Sequence, residues 1–166
     1  MSSVRSPKKS PSVPAPADTA APASEPVDTG FLRTLVGYNT RRAALSIIAV
    51  FMERMAVYDL KVVDFSVLSL VAHNPGITSR QLCATLSVLP PNMVGLIAAL
   101  ERRGLIERRP HPSDGRAMGV HLTPAGVELT AQAEQTAAQL EEDATNRLTA
   151  AERKTLIRLL QKVYDV

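Results

Sequence analysis

Asp114 and Arg116 carry the sharpest chemical signal in this chain, two residues apart within Pro110-His111-Pro112-Ser113-Asp114-Gly115-Arg116-Ala117. A carboxylate at that distance can pair with the guanidinium and fix its direction. A guanidinium held at a loop tip suits the minor groove of DNA, where the potential is most negative. Arg108, Arg109 and His111 precede it closely enough to reach phosphates. A second signal lies upstream. The amide of Asn92 can read adenine bidentately in the major groove. Pro90 and Pro91 beside it can meet a thymine methyl, and Gly95 lets backbone approach a groove wall. Ser87, just before them, can touch a phosphate.

Other chemistries find no support. His73, His111 and His121, with Cys83 as the lone cysteine, show no zinc spacing. There is no Gly-rich phosphate loop and no nucleophile elbow. No nucleophile, base and orienter can be assembled. The expectation is a protein that is not an enzyme and needs no metal or cofactor.

These residues need elements to position them. From Leu32 to Val57 no proline intervenes, and Leu45, Ile48, Ala49, Met52, Met55 and Ala56 follow helical spacing, which predicts one long first helix. Asp64 can cap a second helix carrying Phe65, Leu68, Val71 and Ala72 on one face, ended by Asn74-Pro75-Gly76. Thr78 and Gln81 form a capping box for a third, over Ser79 to Leu86. Pro90 and Pro91 open a fourth, with Met93, Leu96, Ile97 and Leu100 inward and Gly104 as its stop. Leu105–Arg109 and Met118–Leu122 read as short strands joined by a turn-rich loop with a basic tip. Thr123-Pro124 starts a fifth helix running to about Arg147, and Thr149 to Glu152 is a second capping box before the last. The reading is a mainly α fold with a small β-hairpin wing, a winged helix-turn-helix flanked by long helices. Those helices have more apolar face than so small a domain covers, which predicts a homodimer.

The chain has 166 residues, enough for one domain with a tail. Residues 1–29 hold six of the twelve prolines with Ser, Ala and Thr between them, and read as a disordered tail with a basic start at Arg5, Lys8 and Lys9. The net charge of +3 excludes a wholesale polybasic protein, so the placement of the arginines matters more than their number. The lone cysteine and the absence of an apolar leader point to the cytoplasm, with no membrane partner. Cys83 itself reads as a small helical hydrophobe.

Leu105-Ile106-Glu107-Arg108-Arg109-Pro110, then Asp114-Gly115-Arg116, then Leu122-Thr123-Pro124-Ala125-Gly126, resembles the wing signature of the multiple antibiotic resistance regulator (MarR) family. His73 to Thr78 and Leu100 to Leu105 match it in type and spacing, so the resemblance covers about residues 31–163. It implies a homodimeric repressor on a pseudo-palindromic double-stranded operator, released by a small aromatic ligand. It places the helix from Pro90 in the major groove and Arg116 in the minor groove, oriented by Asp114. Many members have a second arginine where Gly115 stands, and a hydroxyl with a basic residue where this chain has Pro91, Asn92, Val94 and Gly95. The Pro-Pro-Asn-Met-Val-Gly-Leu variant is similar to a branch tied to aromatic acid and hydroxycinnamate catabolism, where some members sense aromatic acyl-CoA thioesters.

In this frame residues 30–166 form the domain. Residues 30–60 and 123–166 supply the dimerisation helices, and 63–122 the winged helix-turn-helix. A mostly apolar ligand pocket is expected between the first helix, the second and the start of the fifth. Tyr38, Arg41 and Arg42 are its polar candidates, with the arginines suited to a carboxylate or a CoA phosphate. Met52 and Phe65 are candidate lining, and His73 stands nearby, read first as a helix end-cap. Two other readings fit the residues less closely: an architectural DNA binder without sequence preference or effector, and a winged-helix module for protein partners.

Overall fold

The computed structural model describes residues 27–111 and 114–164, with side chains at 111 and 114–117 outside the description. The basic start of the tail therefore lies outside the described residues.

The expected long first helix is two. α1 (Gly30–Arg33) and α2 (Val36–Met55) are separated by Leu35, whose extended backbone makes it the N-cap of α2. The break leaves carbonyls without helical partners. Asn39 bridges the break, its side-chain amide donating at 2.8 Å to the Arg33 oxygen and at 2.8 Å to the Leu35 oxygen, which also takes the Asn39 backbone N–H. A 3₁₀ turn (Ala56–Tyr58) and Asp59 in the left-handed region (φ 51°) then turn the chain into α3 (Val62–His73). Asp64 is not the N-cap of α3. Lys61 is, and the Asp64 carboxylate accepts from the Lys61 N–H at 3.0 Å from the third helical position.

α4 (Ser79–Leu86) starts at the expected box: Gln81 N–H donates to Thr78 Oγ1 at 3.3 Å, and Thr78 N–H to Gln81 Oε1 at 2.9 Å. Ser87 in the left-handed region (φ 52°) ends it, and α5 (Pro90–Arg102) leaves at 115° to α4. That angle is in the helix-turn-helix range.

β2 (Ile106–His111) and β3 (Asp114–Leu122) pair antiparallel from Ile106↔Leu122 out to His111↔Asp114, with a bulge at Pro110/His111. The strands thus extend through most of what read as loop. Pro110 fits because β2 is an edge strand, where a missing N–H is tolerated. A two-residue strand not expected from sequence, β1 (Ile77–Thr78), completes a sheet of order β1-β3-β2. Gly119 permits that pairing, since a Cβ there would lie 2.8 Å from the Gly76 carbonyl oxygen.

α6 (Pro124–Ala144) is capped by Thr123, whose Oγ1 accepts from Gly126 N–H at 3.0 Å, and it ends earlier than expected. α7 (Ala150–Tyr164) follows the Thr149/Glu152 box.

The core lies where α2, α3, α4, α5, the sheet and α6 meet. Met55, Leu68, Leu82, Met93, Leu100 and Ile106 are fully enclosed there. Each such side chain contributes about 1.5–3 kcal/mol relative to exposure. The periodicity arguments hold for α5, where Met93, Ile97 and Leu100 are buried and Leu96 packs beside them. α7 contributes no buried residue within one chain. Among the described residues no single helix is long and apolar enough to cross a membrane.

Candidate nucleic-acid interface

With Met93, Ile97 and Leu100 committed to the core, helical periodicity turns Pro91, Asn92, Val94 and Gly95 outward, and all four are exposed. The first turns of α5 are therefore a free edge beside the α4–α5 turn. Ser87 and Pro90 are exposed at that same turn. Gly95 has nothing within 4 Å of where a Cβ would stand. Its absent side chain answers to no internal contact, and it leaves the outer face of α5 flat.

Two exposed apolar side chains join this edge: Val94, which the sequence marks only as a departure from the family pattern, and Leu89, not singled out from sequence. Val94 is 60% exposed and Leu89, the N-cap of α5, is 69% exposed. Val94 had a legible signal, three residues after Pro91 on the same face. Leu89 had none, because a capping position has no periodicity.

The wing stands beside α5. Arg108 and Arg109 leave β2 on opposite faces and each is paired. Arg108 donates to Glu101 through Nε (3.2 Å) and Nη2 (2.5 Å). Arg109 pairs with Glu107 two residues earlier. The hydrogen bond from Arg108 holds the Glu101 carboxyl below the usual carboxylate range, and the same bond raises the Arg108 guanidinium. The side chains of His111, Asp114 and Arg116 lie outside the described residues. Their backbone positions place them at the far end of the hairpin.

The structure does not gather the six ligand candidates in one cavity. Tyr38 and Arg42 line a hollow of about 500 Å³ with Val27, Thr29, Arg33 and Asn39. Arg41 is exposed on α2. Met52 is 44% exposed, and Phe65 packs edge-on against Phe51 at 5.6 Å, as core. His73 stands at the end of α3 with Nε2 3.0 Å from Glu134 Oε1, which also accepts from Ser69 Oγ at 2.7 Å. Glu134 in turn borders a hollow of about 270 Å³ between α3, β3 and α6, with Val71, His121 and Thr130. The hollow at Tyr38 and Arg42 is lined by residues between 27 and 42 alone, with none from α3 or α6. Among the described residues no three metal-ligating side chains cluster.

The MarR-family model matches residues 58–117, from the turn before α3 to the wing tip. The chain is 34% identical over 112 residues to the multiple antibiotic resistance protein MarR of Escherichia coli, covering 67% of this chain and 78% of that protein. The chain belongs to the MarR family. It is also 37% identical over 100 residues to a putative transcriptional regulatory protein for the hcr operon of Thauera aromatica, spanning 60% of each. Among solved structures it is similar to the repressor CouR bound to a 23-mer DNA duplex (TM-score 0.78, 34% identity, 83% of this chain and 98% of that one). It is similar as well to Bordetella bronchiseptica BpsR, whose DNA binding is regulated by 6-hydroxynicotinic acid (TM-score 0.74, 26% identity, 85% and 99%). These relatives are regulators of transcription, and the MarR-type winged helix explains why α5 and the hairpin stand side by side.

Proposed function

We propose that this MarR-family protein is a homodimeric, sequence-specific transcriptional repressor released from its operator by a small aromatic ligand or its CoA thioester. The observation that carries the reading is the free outer edge of α5. Pro91, Asn92, Val94 and Gly95 project from a helix whose other face is locked into the core. Asn92 reads adenine, while Pro90, Pro91 and Val94 meet thymine methyls. Ser87, Arg109 and His111 serve the phosphates, and Arg116, oriented by Asp114, enters the minor groove.

Residues 63–122 are the DNA-binding part, and residues 30–60 and 123–166 the dimerisation part. Phe31, Val36, Ile157, Val163 and Tyr164 are all at least half exposed in one chain, and α7 buries nothing. A second copy covers those faces, and two heads then read half-sites about 10 bp apart. Tyr38, Arg41 and Arg42 serve the acid or phosphate of the effector, with Met52, Phe65 and His73 along its path. The ligand acts by favouring a head spacing that does not fit the operator. The protein works in the cytoplasm and performs no catalysis.

The test is a fluorescence-anisotropy titration against duplex from upstream of the protein's own coding sequence, with a shuffled duplex beside it, at about 0.15 M salt. Tight binding to the first alone, reversed by aromatic acids or their CoA thioesters, is the expected result. Equal binding to both duplexes makes the protein an architectural binder and overturns the reading.

A further inference from the structure

We propose that Glu101 and Arg108 form a brace that sets the direction of the wing relative to α5, so that Arg108 acts on DNA through the wing's position and touches no phosphate. The inference rests on the DNA-binding reading above and assigns a different role to a residue that sequence alone marks as a phosphate contact.

Three observations carry it. First, the Nε–Nη2 edge of the guanidinium is already used. Nε and Nη2 both donate, one to each oxygen of the Glu101 carboxylate, in the bidentate form that fixes geometry as well as charge. A phosphate contact through this edge would have to break both bonds. Second, Arg108 lies on the core side of the hairpin. Its strand partner is Val120 and its neighbour on that face is Ile106, both buried. The side chain therefore leaves β2 toward α5. Arg109, on the opposite face, pairs only with its strand neighbour Glu107 and is 60% exposed, against 45% for Arg108.

Third, the end of α5 is itself anchored. Arg103 donates to the Tyr58 and Asp59 carbonyl oxygens at 2.8 Å each, and the Tyr58 hydroxyl lies 2.9 Å from Thr136 Oγ1. The C-terminal end of α5 is thus tied to the α2–α3 turn and to α6. Among the described residues β2 is an edge strand, with β3 on one side and no strand on the other. Glu101 ties this edge sideways to a fixed helix, and the hairpin tip that carries Arg116 takes its aim from there.

Charge alone makes the opposite forecast for Glu101. Removing a carboxylate near DNA should tighten binding. A brace makes its removal weaken binding, because a loose wing must be re-ordered at each encounter.

The experiment compares E101A, R108Q, the double variant E101A/R108Q and the exchanged variant E101R/R108E, on operator and shuffled duplex over a series of salt concentrations. Backbone amide exchange of each protein without DNA is followed by NMR. Arg108 is exposed and Glu101 half-buried, and a thermal melt checks that each variant is folded. The brace predicts that E101A and R108Q each lower operator affinity by about fivefold. The double variant loses no more than either single one, and the exchanged pair regains most of the loss. R108Q keeps the wild-type salt dependence, and amide exchange at Glu107 and Arg109, whose N–H groups face β3, quickens in E101A. The proposal is overturned if R108Q lowers the slope of log K against log salt by about 0.9, the loss of one phosphate contact, while E101A binds as well as wild type or better. Unchanged amide exchange in E101A overturns it too. If the wild type shows no preference for the operator, the repressor reading fails instead, and the exchange data alone decide the brace.

Discussion

Replacing Gly95 with alanine should separate folding stability from DNA binding, because the two make opposite demands at that position. Gly95 lies inside α5 and is exposed, and a Cβ built there meets nothing within 4 Å. The fold gains by the change. Alanine is about 1 kcal/mol better than glycine in a helix interior. For a domain of this size that raises the melting temperature by about 2–4 °C, read by calorimetry at fixed protein concentration because a dimer's melting point depends on it. DNA binding loses by it. The methyl group projects from the face that carries Asn92, where close approach of the helix to base edges depends on a flat surface. Upsetting a base-edge contact costs about 1–3 kcal/mol, so operator affinity in the anisotropy assay should fall about 5- to 150-fold while binding to shuffled duplex changes little. A lower melting temperature would refute the open space around Gly95. A stabilised variant with unchanged operator affinity would refute the placement of this face against DNA.

Arg116→Ala should weaken operator binding by about 1–3 kcal/mol and leave the melting temperature unchanged, as measured on the same two duplexes. Gly126→Ala should be severe, because its Cβ would stand 1.9 Å from the Leu105 carbonyl oxygen at the seam between α6 and β2. Overpacking against backbone places the cost at about 3 kcal/mol or more, and a variant melting like wild type in denaturant would contradict this. Thr130 is 1% exposed and its hydroxyl has no hydrogen-bond partner among the described residues, so Thr130→Val should stabilise by about 1 kcal/mol in the same denaturant titration. Acid should destabilise through the caps. Hydrogen bonds from Thr149 hold the Glu152 carboxyl below its ordinary value of 4.5, so its contribution is full above that pH and is lost as pH falls through the lower, folded value. A shallower acid loss of stability in Glu152→Gln than in wild type is the expected result, and identical curves would argue against it.

Local sequence determined the order of helices and most of their ends. The boxes at Thr78/Gln81 and Thr149/Glu152, the Thr123-Pro124 start and the left-handed Gly104 (φ 69°) all stand as read, because each is a bargain struck within one helical turn. The inward face of α5 was legible for the same reason, and with it the outward position of Asn92 and Gly95. Tertiary structure decided the rest. The α1–α2 break is held by Asn39, whose type gives no sign that it will bond two carbonyls upstream. β1 is two residues long and exists because β3 arrives beside it, with Gly119 making room. Glu101 and Arg108 belong to different elements, as do Ser69, His73 and Glu134, and no periodicity links them. Capping and propensity act over one helical turn of chain. Which side chains meet across a core depends on how whole elements pack, and that is settled only when the apolar faces close together.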